Sequence, residues 1–149
     1  MEKIKVIIAD DNIYVCEHIE KQIRKTDNIE ILAIVNNDED EIKAIEELKP
    51  DIVITDIRRN NKDSGLDIIK DYSLKENTPM FLVISASIAT YMSNIAGFIF
   101  KPINDYEKIT KDINRIYEES IKKDGEKEIE IEKVKVNNSF FKRLLNKIS

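Results

Sequence analysis

Glycine is scarce in this chain, with only Gly65, Gly97 and Gly125 among its 149 residues. A loop that wraps a nucleotide phosphate in backbone N–H groups needs two or three glycines within a few positions. No two of these glycines lie close enough together, so phosphate-binding loops of the GxGxxG and GxxxxGK[ST] types are excluded.

Cysteine and histidine occur once each, as Cys16 and His18. A single cysteine excludes an intrachain disulfide and a cysteine-based zinc site. His18 falls within a predicted helix, and the sequence has no GxSxG motif to supply a partner serine. A Ser-His-Asp triad is therefore not supported.

Long hydrophobic runs are also lacking. The first apolar stretch, Ile4–Ala9, is too short for a signal peptide, and no later stretch approaches the roughly 20 residues that span a bilayer. We therefore expect a cytoplasmic protein without membrane insertion. The 29 acidic residues outnumber the 24 basic ones, which argues against direct nucleic acid binding by this chain.

Short apolar runs alternate with helical patterns along the first 122 residues. The runs predict five strands, and the intervening apolar periodicities predict five helices. Val/Ile/Leu-rich strands alternating with helices predict an α/β fold, a doubly wound five-stranded parallel sheet in the order 2-1-3-4-5. The predicted strands are Ile4–Ala9, Ile29–Val35, Ile52–Thr55, 80–84 and 98–100, and the predicted helices are 13–24, 38–48, 64–72, 90–96 and 105–122. In the second helix, Ile42, Ile45 and Leu48 are expected to face inward.

Polar side chains stand where these strands end. Asp10 and Asp11 follow the first strand, Asp56 the third, Ser85 the fourth and Lys101 the fifth. In such a sheet the carboxyl ends of the strands meet at one edge, where ligands bind. Three neighbouring carboxylates repel one another unless a cation lies between them. Mg²⁺ suits such oxygen ligands.

This set of residues predicts phosphoryl transfer. Asp56 would be the nucleophile that becomes an aspartyl phosphate, Asp10 and Asp11 would hold the metal, Lys101 would neutralise charge, and Ser85 would donate a hydrogen bond. Each residue alone also has an ordinary interpretation. The acidic pair could cap the first helix, Asp56 could belong to a turn, and Lys101 could be solvated.

The same motifs resemble response-regulator receiver domains over residues 1–122, with a fold similar to chemotaxis receivers. The segments that carry the resemblance are 3–12 (KIKVIIADDN), 50–56 (PDIVITD), 84–86 (ISA) and 98–102 (FIFKP). The first is especially similar to the receivers of sporulation master regulators in Firmicutes.

The resemblance implies a role for each matching residue. Asp56 is the phosphoacceptor, and the backbone carbonyl of Arg58 joins the acidic residues as a metal ligand. Ser85 and Phe98 form a coupled switch pair, and the Lys101–Pro102 peptide bond is cis.

Two segments depart from the family pattern. The loop at 57–65 lacks the usual Met-Pro pair, is one residue longer, and places Arg58 and Arg59 beside the site. The segment between Ser85 and Lys101 is several residues shorter than usual. The helix at 90–96 must therefore be short or replaced by a loop.

The predicted receiver domain covers residues 1–123, and residues 124–149 form a C-terminal extension. Alternation over 128–136 is compatible with a strand or an extended linker, and residues 139–148 predict an amphipathic helix. The apolar side of that helix includes Phe140, Phe141, Leu144, Leu145 and Ile148. This stripe could pack on the receiver, contact a partner or begin an output domain.

We expect a phosphoacceptor of a two-component system or phosphorelay. We expect no enzymatic activity other than self-phosphotransfer and autodephosphorylation. The expected partner is a histidine kinase or phosphotransfer protein. Dimer or output contacts are expected through the face formed by segments 90–96, 98–100 and 105–122, or through the C-terminal helix. The alternative is a degenerate receiver that acts as a non-phosphorylated binding or dimerisation module. A haloacid-dehalogenase-type phosphohydrolase is disfavoured because the first strand lacks the DxD spacing.

Overall fold

The computed structural model describes residues 2–87 and 92–148, apart from the side chains of 136–141 and 144–148. The chain divides into two compact units, Met1–Tyr117 and Glu118–Ser149. The first unit contains the sheet and the functional site. The predicted division after residue 123 stays a prediction about domain organisation.

Five parallel strands form the sheet of the first unit. The elements run β1 (Ile4–Ala9), α1 (Ile13–Ile23), β2 (Ile29–Val35), α2 (Asp38–Leu48), β3 (Ile52–Thr55), α3 (Ser64–Ser73), β4 (Met80–Ser85), β5 (Ile95–Phe100) and α4 (Glu107–Ile148). The strand order is β2-β1-β3-β4-β5, and all strand pairs are parallel. The predicted doubly wound order is confirmed, and it is the strand order of a flavodoxin-like fold.

Both faces of the sheet are covered by apolar side chains. In β1, Val6 and Ile8 belong to the core on one face, together with residues of α1 and α4, while Ile7 belongs to the core on the other face with residues of α2 and α3. All three side chains are fully buried. A strand buried on both sides reads as a continuous apolar run, which explains the lack of alternation in the sequence.

The inward face of α2 differs from the prediction. Its buried residues are Glu41, Ala44 and Ile45, whereas Ile42 and Leu48 are 42% and 43% exposed. Ile45 was predicted correctly, and the other two were not. The helix is rotated so that an acidic residue takes an inward position, because Arg59 lies opposite Glu41 and neutralises it.

The helix predicted at 90–96 is wrong in its described part. Ile95 and Ala96 already belong to β5, and residues 90–91 lie outside the described residues. The strand begins early because Phe81 pairs with Ile95 and its N–H donates to the carbonyl of Asn94 over 2.8 Å. Only residues 86–94 remain between β4 and β5, and of these the described residues 86–87 and 92–94 are not helical.

The last helix also differs from the prediction. Residues 128–136 are helical rather than extended, and α4 continues through Gly125 to Ile148. A glycine inside a helix costs about 1 kcal/mol relative to alanine, but the surrounding Glu and Lys residues favour helix. In the described part, Ile121, Ile129, Ile131 and Val134 are more than half exposed. The helix predicted at 139–148 lies within α4, but the side chains of its apolar stripe lie outside the described set.

Among the described residues, no helix combines the length and apolarity that a membrane crossing requires.

Candidate phosphoryl and metal site

Three carboxylates meet at the carboxyl ends of the central strands. Asp10 and Asp11 directly follow β1, and Asp56 directly follows β3, which pairs with β1. The N–H of Asp56 donates to the carbonyl of Ala9 over 2.9 Å, so the strand pairing continues into the site. One oxygen from each of the three carboxylates lies within 4.8 Å of the others. This acidic pocket was predicted from the strand ends.

The acidic pair does not cap the first helix. Asn12 is the N-cap residue of α1, and its side-chain oxygen accepts hydrogen bonds from the N–H groups of Tyr14 and Val15. Asp10 Oδ1 instead accepts from the N–H of Asn12 over 2.8 Å. Both aspartates are therefore available to the pocket, and the capping interpretation is excluded.

Lys101 supplies the positive charge of the pocket. Its N–H donates to the carbonyl of Ser85 over 2.9 Å, so strand pairing holds the backbone. Its Nζ lies 2.8 Å from Asp10 Oδ2 and donates to Asp56 Oδ2 over 3.0 Å. The Lys101–Pro102 bond is cis, as predicted. One ammonium group thus bridges aspartates from two strands.

Burial and charge act against each other in this pocket. Burial raises the pKa of Asp10, and Lys101 opposes that effect only in part. For Lys101, burial lowers the pKa, but its contacts with Asp10 and Asp56 outweigh burial, so the net pKa is raised. Lys101 is therefore protonated. An additional cation would stabilise the ionised form of the Asp10 carboxylate.

The donor set fits a hard divalent cation. Asp10 Oδ2 is buried and accepts no hydrogen bond of normal geometry within the described part of the chain, although the Lys101 ammonium lies beside it. Asp11 is exposed, so the pocket opens to solvent on one side. Carboxylate oxygens with room for water are the environment that Mg²⁺ prefers.

Ser85 ends β4, and Phe98 lies within β5. Ser85 is buried; its Oγ lies 3.1 Å from Ser87 Oγ and accepts from the N–H of Ser87. Phe98 pairs in register with Val83, and its ring lies 4.6 Å from the ring of Phe100. Neither residue has a described contact with Asp56, so their role as a switch pair stays a prediction.

The loop after Asp56 absorbs its additional residue in a tight turn. Arg59 and Lys62 exchange two backbone hydrogen bonds of 2.8 and 2.9 Å, and Asn60 and Asn61 between them have φ values of 50° and 60°. Two left-handed residues are typical of a type I′ turn, which asparagine tolerates well. The N–H of Arg58 donates to Asp56 Oδ1 over 3.1 Å, so the Asp56 side chain is held by its own loop.

A comparison with protein families agrees with this geometry. The model of the response regulator receiver domain matches residues 6–114. The chain belongs to the response regulator receiver domain family. The matched range contains β2 to β5, β1 from Val6 onward, and every residue of the pocket.

Curated relatives of this receiver are larger proteins. A protein-glutamate methylesterase/protein-glutamine glutaminase from Methanococcus maripaludis is 26% identical over 93% of this chain and 38% of its own length. The transcriptional regulatory protein BtsR from Salmonella typhi is 28% identical over 81% of this chain and 51% of its own length. The chain thus spans about half or less of these relatives.

Solved receiver structures share the fold. The signal receiver domain of NarL from Mycobacterium tuberculosis matches 75% of this chain and 96% of its own length, with a TM-score of 0.58 and 19% identity. A DNA-binding response regulator of the LuxR family from Staphylococcus aureus matches 75% of this chain and 97% of its own length, with a TM-score of 0.64 and 24% identity. At these identities the likeness shows the fold alone.

The prediction that the Arg59 side chain lies beside the site, as that of Arg58 does, is wrong. Arg58 is exposed beside the pocket of the receiver, but Arg59 is 4% exposed and points toward α2. There it forms ion pairs with Asp38 and Glu41. Burial raises the pKa of Glu41, and Arg59 opposes that effect. The sequence signal for a buried Glu41 was its spacing of four residues from Ile45, which places both residues on one face of α2.

Proposed function

We propose that this receiver accepts a phosphoryl group on Asp56 in a magnesium-dependent reaction and thereby switches a partner or output interaction. The observation that carries the proposal is the pocket itself. Asp10, Asp11 and Asp56 place oxygens within 4.8 Å of one another, and Lys101 contacts two of these residues. Carboxylates gathered around one lysine suit charge neutralisation of a transferring phosphoryl group.

In the proposed reaction, a carboxylate oxygen of Asp56 attacks the phosphorus of a phosphohistidine. The new P–O bond forms as the P–N bond breaks, and the electron pair of that bond leaves with the imidazole. Lys101 already donates to Asp56 Oδ2, so its ammonium group lies beside the reacting carboxylate and can neutralise negative charge on the phosphoryl oxygens. Ser85 would donate its hydroxyl hydrogen to one of those oxygens after rotation away from Ser87.

Asp10, Asp11, Asp56 and the backbone carbonyl of Arg58 are the proposed ligands of Mg²⁺. When bound, the ion would supply charge neutralisation at the phosphoryl oxygens. Asp11 offers an exposed carboxylate, while Asp10 is buried. The two aspartates would therefore hold the ion between protein and solvent.

The proposed phosphoryl donor is a histidine kinase or phosphotransfer protein. The phosphorylated chain would then act on an output partner or on a second copy of itself. We propose that the chain has no enzymatic activity beyond self-phosphotransfer and autodephosphorylation. A cytoplasmic location stays a prediction. Contact through β5, or through the first or the last part of α4, would connect phosphorylation to output.

The second candidate is a receiver that keeps the fold and binds partners without being phosphorylated. Two observations favour it. The loop after Asp56 lacks the Met-Pro pair, and the segment between β4 and β5 is shortened to residues 86–94. The paired Lys101 and Asp56 favour the phosphoacceptor instead, because a module without this chemistry has no need of a partly buried lysine between two aspartates.

The test is phosphorylation of the purified chain by acetyl phosphate, followed by intact mass. We expect one phosphate adduct with Mg²⁺, no adduct when the ion is chelated, and none in Asp56→Ala. Asp67→Ala is the matched control, because Asp67 is exposed on α3, and it should behave as the wild type. A folded wild-type chain that forms no adduct would favour the second candidate.

A further inference from the structure

The side chain of Arg59 returns to the strand that precedes the site. Its Nη2 donates a hydrogen bond to Thr55 Oγ1 over 2.7 Å, and Thr55 is the buried last residue of β3. Between these two residues lie Asp56, Ile57 and Arg58. The bond therefore closes a five-residue loop that contains Asp56, the proposed phosphoacceptor, and Arg58, the proposed carbonyl ligand.

The guanidinium group is also fixed to α2. Nη1 donates to Asp38 Oδ1 over 2.7 Å, and Nη2 contacts Glu41 Oε1. Glu41 is fully buried, and Arg59 is 4% exposed. A planar guanidinium has a rigid arrangement of donors, so contacts with three residues hold it in one orientation. We call Arg59, Glu41, Asp38 and Thr55 the arginine clamp.

Stability alone is a weak reason for the arginine clamp. Two charges taken out of water lose hydration, and replacement of a buried ion pair by apolar residues of similar size is often neutral or stabilising. In addition, Glu41 Oε2 and Arg59 Nε are buried without a hydrogen-bond partner among the described residues. The arginine clamp does restrain the backbone of residues 56–58, because it joins Arg59 to Thr55 and to α2.

We propose that Arg59 is a positioning residue for the metal and phosphoryl site of this receiver. This inference rests on the proposed function of Asp56. Three constraints act on the short segment after β3. Arg59 holds its end to Thr55 and α2, the N–H of Arg58 holds the Asp56 carboxylate, and the N–H of Gly65 holds the carbonyl of Ile57. The first is the only one of the three that involves a side chain from outside the pocket.

The main test variant is the double substitution Glu41→Leu with Arg59→Met. It removes both buried charges together, because Arg59→Met alone would leave Glu41 buried and unpaired, and that variant could fail to fold. We expect the double variant to melt near the wild-type temperature. We expect its Mg²⁺ dissociation constant, measured by amide chemical shifts during titration with MgCl₂, to rise about 10-fold or more. Its phosphorylation rate at limiting Mg²⁺ should fall by a similar factor.

A second variant, Arg59→Lys, keeps the charge. One ammonium group cannot reproduce the planar arrangement that reaches Thr55, Asp38 and Glu41 together. We expect a folded protein with a smaller rise in the Mg²⁺ dissociation constant. If the double variant does not fold, this variant decides the question.

The matched control is Glu20→Leu with Arg24→Met. These residues form an exposed ion pair of 2.9 Å at the end of α1, so the same two types of charge are removed away from the pocket. The control should bind Mg²⁺ as the wild type does. If folded clamp variants also bind Mg²⁺ and accept phosphate within twofold of the wild type, the clamp is only structural and the inference is overturned.

The wild-type arm separates this inference from the proposed function. A wild-type chain that forms no magnesium-dependent adduct contradicts the proposed function. A wild-type chain that forms the adduct, beside clamp variants with unchanged Mg²⁺ affinity, contradicts only the role of Arg59.

Discussion

Lys101 Nζ donates a hydrogen bond to Asp56 Oδ2 over 3.0 Å, which joins the end of β5 to the end of β3 across the intervening strand. The same ammonium group lies 2.8 Å from Asp10 Oδ2. A single cation therefore links three strand ends that are up to 91 positions apart in the sequence, from Asp10 to Lys101.

Lys101→Met should slow phosphorylation of Asp56 by acetyl phosphate about 100-fold or more, because a fixed cation beside the transferring group is removed. The measurement is the rate of adduct formation by intact mass at saturating Mg²⁺. Lys108→Met is the control, since Lys108 pairs with Asp112 on the surface of α4, and its rate should stay within twofold of the wild type. Equal rates in Lys101→Met and wild type would contradict the role assigned to Lys101.

Gly65→Ala should destabilise the receiver by about 1–3 kcal/mol. A Cβ at this position would lie 2.4 Å from the carbonyl oxygen of Asp56 and 2.7 Å from Ile57 Cα. Both are backbone atoms of the loop beside the pocket, so the start of α3 would have to move. The free energy of unfolding, measured in urea, reports the cost.

Gly125→Ala is the control for that experiment. Its Cβ would meet nothing within 4 Å, and alanine is favoured over glycine within a helix by about 1 kcal/mol. We expect unchanged or increased helix content by circular dichroism. A Gly65→Ala variant as stable as the wild type would contradict the close approach of α3 to the loop.

Cys16 should react slowly with iodoacetamide in the folded protein at pH 8. Burial raises the pKa of its thiol to about 11, and the thiolate is the reactive form, so labelling should be about 100-fold slower than in urea. Because the folded-state pKa lies above the ordinary value of 9.0, the stabilisation due to the protonated thiol is present below about pH 9. It is lost as the pH rises through about 11.

Labelling can be followed by mass, since Cys16 is the single cysteine. The folded-state rate should increase with pH toward 11. Equal rates for folded and unfolded protein at pH 8 would show that the thiol is accessible and ionised, against its buried position in α1.

The sheet and the pocket were predictable because their signals are local. Each strand is a short apolar run, and Asp56, Ser85 and Lys101 directly follow or end such runs. Because the carboxyl ends of parallel strands meet at one edge of the sheet, these residues can be predicted to lie together without any long-range contact being known. The first and last helices likewise bury the apolar residues that their periodicity indicated, such as Ile19 and Ile113.

The arginine clamp was not predictable in the same way. Arg59 and Glu41 are 18 positions apart, and a charged residue on a helix is normally solvated. Only the contact between them explains why Glu41 is buried while Ile42 is exposed. The continuous α4 was missed because alternating Ile and Glu residues suit a strand as well as a helix, and Gly125 suggested a break.

Chemical mapping is the most direct way to learn whether Asp56 carries the phosphoryl group. The wild-type chain is phosphorylated with acetyl phosphate and Mg²⁺ and then reduced with borohydride, which converts an aspartyl phosphate to homoserine. Peptide mass spectrometry then locates the converted residue. We expect homoserine at position 56 and unmodified Asp10, Asp11 and Asp51. Conversion at another aspartate, or at none in a folded protein, would contradict the proposed role of Asp56.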